Sequence, residues 1–155
     1  MDRLDVQIVS RLQEDGNATN ANIARSILPS PVSEETVRRR LKRLMQDGYM
    51  KIVAVPDARK MGYESQVIIG LQVDADKVDD VADALSEMDE VSWVSVTTGS
   101  FDIFGWATVK SFDQLSDFLR TRVGRIEGVK KMETFLTLES KKQEHGINMK
   151  SVIIG

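Results

Sequence analysis

The sequence predicts an α+β chain of two modules: an N-terminal helix-turn-helix domain, plain or winged, followed by a ferredoxin-like βαββαβ domain. Three observations predict it. The first fifty or so residues hold three apolar stripes at helical spacing, the third on a strongly basic segment. Residues 65–140 alternate in the order strand, helix, strand, strand, helix, strand, which is the split βαβ arrangement. The charge also changes sign along the chain. Residues 1–60 carry 11 Lys+Arg against 8 Asp+Glu, and residues 61–155 carry 10 against 16. The formal net charge of −3 therefore averages a basic module and an acidic one, and such asymmetry implies different partners for the two.

In the first module, residues 1–55, Asp2 caps a helix whose stripe is Leu4, Ile8 and Leu12 with Val9 alongside, and Asp15-Gly16-Asn17 ends it. A second helix spans roughly Thr19 to Ile27, with Ile23, Ala24 and Ile27 inward. Leu28-Pro29-Ser30-Pro31-Val32 cannot continue it, so the chain turns. The third helix opens at Ser33, an N-cap residue, with Glu34 and Glu35 at the positive end of the helix dipole, and stops at Asp47-Gly48. Its stripe is Val37, Leu41, Leu44 and Met45, while Arg38, Arg39, Arg40, Lys42 and Arg43 take most of the remaining circumference. Duplex DNA is a dense line of phosphates whose major groove admits one helix, so this segment reads as a recognition helix. The bland alternative is a solvated basic face. Tyr49–Val55 then suits a short strand, the wing. Residues 56–64 have no period and hold a Pro and a Gly, which marks a hinge.

In the second module, Gln66–Val73 reads as a strand with Val67, Ile69, Leu71 and Val73 on one face and Ile68, Gly70 and Gln72 on the other. Asp74 to Met88 reads as a helix with Val78, Val81, Ala82, Leu85 and Met88 inward. Val91–Thr98 and Phe101–Val109 form a hairpin around Gly99-Ser100. Ser111 and Gln114 form a capping box for a helix burying Phe112, Leu115, Phe118, Leu119 and Val123. Met132–Leu138 is the last strand, and residues 141–155 are a tail. Along the third strand, Phe101, Ile103, Ala107 and Val109 alternate with Asp102, Phe104, Trp106 and Thr108. A sheet with one wet face should be polar there, yet Ile68, Phe104, Trp106 and Phe135 make that face apolar. A second copy related by a two-fold axis is the simplest cover, which makes these four the expected dimer interface. Cover by the first module or by the tail Ile147–Ile154 is the alternative.

Three stretches resemble the leucine-responsive regulatory protein and asparagine-synthesis regulator (Lrp/AsnC) family of prokaryotic transcription regulators. They are Leu4-Asp5-x-x-Ile8-Val9-x-x-Leu12, Thr36 to Leu44 running through Gly48 into Ile52, and Thr98-Gly99-Ser100-Phe101-Asp102, which is similar to the family's G-x-Y-D turn with Phe101 in place of tyrosine. The resemblance covers nearly the whole chain. It implies a double-stranded-DNA-binding regulator that dimerises through its sheets, assembles further to tetramers or octamers, and binds an amino-acid effector near the turn, at Thr98, Gly99, Ser100 and Asp102. Asp102 could pair with a ligand's ammonium group, or simply bond backbone N–H groups and shape the hairpin. The expected DNA-contact residues are Ser33, Thr36, Arg38, Arg39, Arg40, Lys42 and Arg43. Of these, Arg38 and Arg39 are placed for base edges and Arg40, Lys42 and Arg43 for phosphate.

Other functions find little support. With no cysteine, a disulfide, a thiolate metal site and a cysteine nucleophile are excluded. The one histidine, His145, sits in a polar run and reads as solvated, and no phosphate-binding loop or catalytic serine motif occurs, so no enzyme, metal or cofactor is expected. Nothing reads as a signal peptide or membrane span, and a cytoplasmic protein is expected. The rival reading is a ligand-sensing regulatory module without productive DNA binding. An RNA binder using Phe104 and Trp106 is disfavoured by the acidity of the second module.

Overall fold

The structure is a computed structural model that describes residues 1–142 and 146–152; His145 lies outside the described residues. The chain divides into two compact units, one of Met1–Val55 with the chain from Gln143 on, the other of Pro56–Lys142.

In the first unit, α1 (Arg3–Glu14) starts at a reciprocal capping box: the Asp2 carboxylate accepts from Asp5 N–H and the Asp5 carboxylate from Asp2 N–H. Thr19 caps α2 (Asn20–Ser26) and Ser33 caps α3 (Glu34–Gln46). Ile8, Ile23, Ala24, Ile27, Val37 and Leu41 form the core. The proline-rich turn between α2 and α3 is tied to α1 by one side chain. The Gln7 amide donates to Leu28 O at 2.9 Å and accepts from Leu28 N–H at 2.8 Å, while Val32 N–H reaches back to Ala24 O. The α3 stripe is narrower than its spacing suggests. Val37, Leu41 and Leu44 are buried, but Met45 is exposed, because it lies a further 100° round the helix from Leu44. Gly48 takes φ +73° and ends the helix as expected.

The expected strand Tyr49–Val55 is not formed. Ile52, Val53 and Val55 are exposed and carry no strand pairing among the described residues. A strand needs a neighbour to satisfy its ladder, and the first unit has no other strand among the described residues. The hinge is more ordered than its composition suggests: Asp57–Tyr63 winds through consecutive turns, with Met61 N–H on Asp57 O and Tyr63 N–H on Ala58 O, and Gly62 at φ +83°. At the other end of the chain, Gln13 brackets the tail, donating to Ile147 O and accepting from Met149 N–H.

In the second unit, β1 (Ser65–Val73), β2 (Val91–Val96), β3 (Ile103–Val109) and β4 (Val129–Leu136) form an antiparallel sheet in the order β2-β3-β1-β4, as the split βαβ pattern requires. One face is covered by α4 (Val78–Ser86) and α5 (Phe112–Asp117), the latter running on through a wider π-helical turn, Phe118–Arg122, and a 3₁₀ turn, Val123–Arg125. Val67, Ile69, Leu71, Ile103, Ala107, Val81, Leu85, Phe118 and Val123 make the core. Ser111 caps α5 through Gln114 N–H, but the Gln114 side chain accepts from Lys110 N–H, one residue before the cap. Phe112, expected inward, is 62% exposed. It is the first residue of α5, ahead of the turn that meets the sheet.

Gly128 has φ +98°, and a Cβ built there would sit 2.6 Å from Lys77 Cβ. Its carbonyl accepts from Asp74 N–H, joining the end of β1 to the start of β4. Gly128→Ala is expected to destabilise the protein by about 1–3 kcal/mol, through backbone strain and overpacking together. A lowered urea midpoint checks this.

Candidate nucleic-acid interface and effector turn

The five cations of α3 do not form one uniform face. Arg40 and Arg43 are one helical turn apart and both reach back to α1. Arg43 Nη2 lies 2.6 Å from Asp5 Oδ2, and Arg40 Nη1 lies 3.2 Å from Asp5 Oδ1 and 2.5 Å from Asp2 Oδ2. The Asp5 side chain is 1% exposed, Arg40 24% and Arg43 47%. Arg38 points elsewhere, its guanidinium forking onto the Glu35 carboxylate at 2.7 and 2.8 Å in an exposed pair. Arg39 and Lys42 are exposed and form no hydrogen bond or ion pair among the described residues. Ser33 and Thr36 sit together at the helix start, their hydroxyls 2.7 Å apart, with Ser33 Oγ also accepting from Thr36 N–H.

The grouping of Arg40 and Arg43 around Asp5 was not drawn from the sequence, though a signal exists. Asp5, Ile8 and Leu12 fall on one stripe at spacings of three and four, so a carboxylate occupies an apolar register and must find cations there. The Asp2 carboxyl is held below its ordinary value, first by the Asp5 N–H it accepts from and then by Arg40, against the opposing effect of burial.

The turn Thr98–Ser100 is exposed and follows β2. Gly99 takes φ +115°, which a side chain would resist. Asp102 anchors it: Asp102 N–H donates to Leu71 O at 2.8 Å, its carbonyl accepts from Thr97 N–H, and its Oδ2 accepts from Val73 N–H at 2.9 Å. Ser100 O accepts from the Gln72 side chain. The Asp102 carboxylate thus bonds backbone at the base of the hairpin.

The sheet face away from the helices carries all four expected residues. Ile68 stands between Trp106 on β3 and Phe135 on β4, and Phe104 faces Gly70. Two aromatics were missed. Trp93 lies opposite Trp106 and is 52% exposed, because an irregularity between Val91 and Trp93 breaks the strict alternation. Phe101, expected on the helix-covered face, packs instead on this one, edge to face with Phe104 at 5.4 Å and Phe135 at 6.4 Å. It precedes β3 and so is not bound by the strand's parity. The bare Gly70 makes room, since a Cβ there would meet the Phe101 and Phe104 rings at 3.0 and 3.1 Å.

A cleft of about 620 Å³ opens at the far end of β3, lined by Tyr63, Glu90, Lys110, Asp113, Phe118 and Arg122 among others. Arg122 is paired with Glu90 and stacked on Phe118. No sequence expectation fell there. Among the described residues no group of acidic or histidine side chains is arranged to hold a metal ion, and no helix is long and apolar enough to cross a membrane.

Comparison with known proteins agrees with this anatomy at both ends. A family model described as the AsnC-type helix-turn-helix domain matches residues 1–45, and one described as the Lrp/AsnC ligand binding domain matches residues 66–147. The chain belongs to the Lrp/AsnC family. An uncharacterised HTH-type transcriptional regulator of Pyrococcus furiosus is 40% identical over 92% of this chain and 95% of its own length. The HTH-type transcriptional regulator FL11 of the same organism is 32% identical over 92% of this chain and 93% of its own. Among solved structures, Escherichia coli AsnC superposes with a TM-score of 0.85 at 25% identity, covering 96% of this chain and 98% of AsnC. A Neisseria meningitidis transcriptional regulator solved as an L-Met complex superposes at 0.86 with 23% identity, over 95% and 96%. As a member of the Lrp/AsnC family, the chain is a helix-turn-helix transcription regulator with a ligand-binding domain.

The lowered carboxyl of Asp2 makes the first unit acid-sensitive. A depressed folded-state pKa means that the unfolded chain binds the proton more readily, so this contribution is present above about 3.8 and is lost as pH falls through the lowered value. The urea midpoint is expected to fall as pH is taken below about 3.8, and Asp2→Asn, which keeps a capping side chain, is expected to reduce that dependence.

Proposed function

We propose that this regulator acts as a two-fold dimer, paired through the Ile68, Phe104, Trp106 and Phe135 face, and reads near-palindromic DNA with one α3 helix per major groove. The observation that carries the reading is the division of labour on α3. Arg38, Arg39 and Lys42 project outward from a helix whose back is buried, while the other two cations face α1. Arg38 and Arg39, in the second turn of α3, are assigned to base edges, where a guanidinium can bond guanine O6 and N7 together. Arg38 exchanges its exposed pair with Glu35 for that contact, a low cost for a solvent-facing ion pair. Lys42 is assigned to phosphate, and Ser33 and Thr36 to the backbone near the helix start. Half-sites about one helical turn apart follow from the two-fold arrangement.

The effector is an amino acid bound at the Thr98–Asp102 turn. Supporting this are the exposed backbone of Thr98, Gly99 and Ser100, held in one shape by Asp102, the match to a ligand-binding domain, and the L-Met held by the Neisseria relative in fold. Assembly beyond the dimer, to tetramer or octamer, places that turn at an interface between dimers.

Selection from a pool of genomic duplex fragments at two salt concentrations, with and without a mixture of amino acids, tests both parts. Selective enrichment that weakens with salt and shifts with amino acids is expected. Arg39→Ala should cost about 1–3 kcal/mol on the selected fragment and relax its sequence preference. Lys42→Ala should weaken all duplexes alike and flatten the salt dependence by about one unit. Absence of selective enrichment would overturn the DNA reading.

A further inference from the structure

We propose that Asp5, assisted by Asp2, is a specificity-determining positioning residue of the DNA-binding unit: it holds Arg40 and Arg43 off the phosphates, so that α3 delivers only Arg38, Arg39 and Lys42. This rests on the reading of α3 as the DNA-contacting helix. The geometry is specific. Arg40 and Arg43 occupy one flank of α3, three residues apart, so a single carboxylate behind them catches both. Asp5 Oδ2 takes Arg43 Nη2 and Asp2 N–H, Oδ1 takes Arg40 Nη1, and Asp2 takes the same Arg40 nitrogen from its other side. Two carboxylates and two guanidinium groups sum to zero. The set therefore contributes little to the field at a phosphate beyond a screening length.

A carboxylate as buried as Asp5 is very costly unless its partners stay in place. The two arginines are accordingly drawn onto Asp5, although Arg43 keeps about half of its side chain exposed, and they orient α3 against α1. That matters for discrimination. Phosphate neutralisation strengthens binding to every duplex, so two further free cations on α3 would raise non-specific affinity without adding base readout. Long side chains released on that flank would also let the helix sit in the groove in more than one register, at the expense of the base contacts of Arg38 and Arg39. Asp5 is a restraint on charge as much as a brace between helices.

The test uses the full-length protein, a duplex recovered by wild-type selection, and a mixed-sequence duplex of equal length. Affinities are measured across a salt series, and circular dichroism melting follows folding. With Asp5→Asn, binding to the mixed-sequence duplex is expected to tighten, and the slope of log K against log salt to steepen by about one to two units, one for each cation released. The ratio of selected to mixed-sequence affinity should fall roughly tenfold, the scale of one base contact. Adding Arg43→Gln to Asp5→Asn should bring the slope back towards wild type. A purely structural role predicts the opposite pattern, with both duplexes weakened together and an unchanged or flatter slope, and that result overturns the proposal. If Asp5→Asn does not fold, Arg43→Gln carries the test, because it leaves the α1 cap and the Asp5 pairing with Arg40 in place. An unchanged salt slope supports the proposal, since Arg43 is then no phosphate contact, and a slope flatter by about one unit overturns it. Wild-type protein that binds neither duplex in a salt-dependent way refutes the DNA reading itself, an outcome distinct from any change on substitution.

Discussion

A carboxylate with almost no access to water sits in the first turn of the first helix, and the arrangement of the DNA-binding unit follows from what surrounds it. Asp5 closes the capping box that starts α1 and receives two arginines from α3. Three short helices share a small core, and small cores alone define relative helix orientation loosely. Directional bonds supply what the core does not. The Gln7 amide performs the same service for the proline-rich turn, with one donor and one acceptor on the same backbone residue. The outward face of α3 is thus set from behind, by polar contacts with α1.

The ligand-binding unit follows a different principle. Its helix-covered face is a conventional aliphatic core, while its other face is built from rings around a strand position that has no side chain. Gly70 is the floor on which Phe101 and Phe104 meet, and Phe135 closes the group from β4. Such a face gains little from water, which is the physical ground for giving it to a second copy. Because Phe101 lies between the exposed turn and the ring cluster, the turn and the apolar face share a residue.

Much of this was legible beforehand. Element order, all three helices of the first unit, the sheet and the sidedness of β1 and β3 follow from periodicity, since each apolar set has to leave water together. The misses have local causes. Met45 and Phe112 lie at the margins of their helical stripes, where hydrophobicity does not decide burial. Trp93 was hidden because one irregular position reverses the parity of everything beyond it. The Tyr49–Val55 pattern describes a segment suited to a strand, but pairing requires a partner that composition does not display. At the candidate interface, counting cations on α3 was straightforward. Sorting them was not, because a charge's role depends on what faces it across the fold, and Asp5 is 35 and 38 residues away from its two arginines.

The Thr98–Asp102 turn also governs one amide of β1. At the end of β1, pairing with β3 stops at Leu71 and Ile103, and the next rung is supplied by a side chain, the Asp102 carboxylate accepting from Val73 N–H. That amide proton is therefore protected by the turn rather than by the sheet. A ligand whose ammonium group draws the carboxylate away would expose the Val73 proton to deuterium, whereas one that bonds only the turn's backbone would leave it slow. A single amide, read against its neighbours in β1, distinguishes the two modes of recognition.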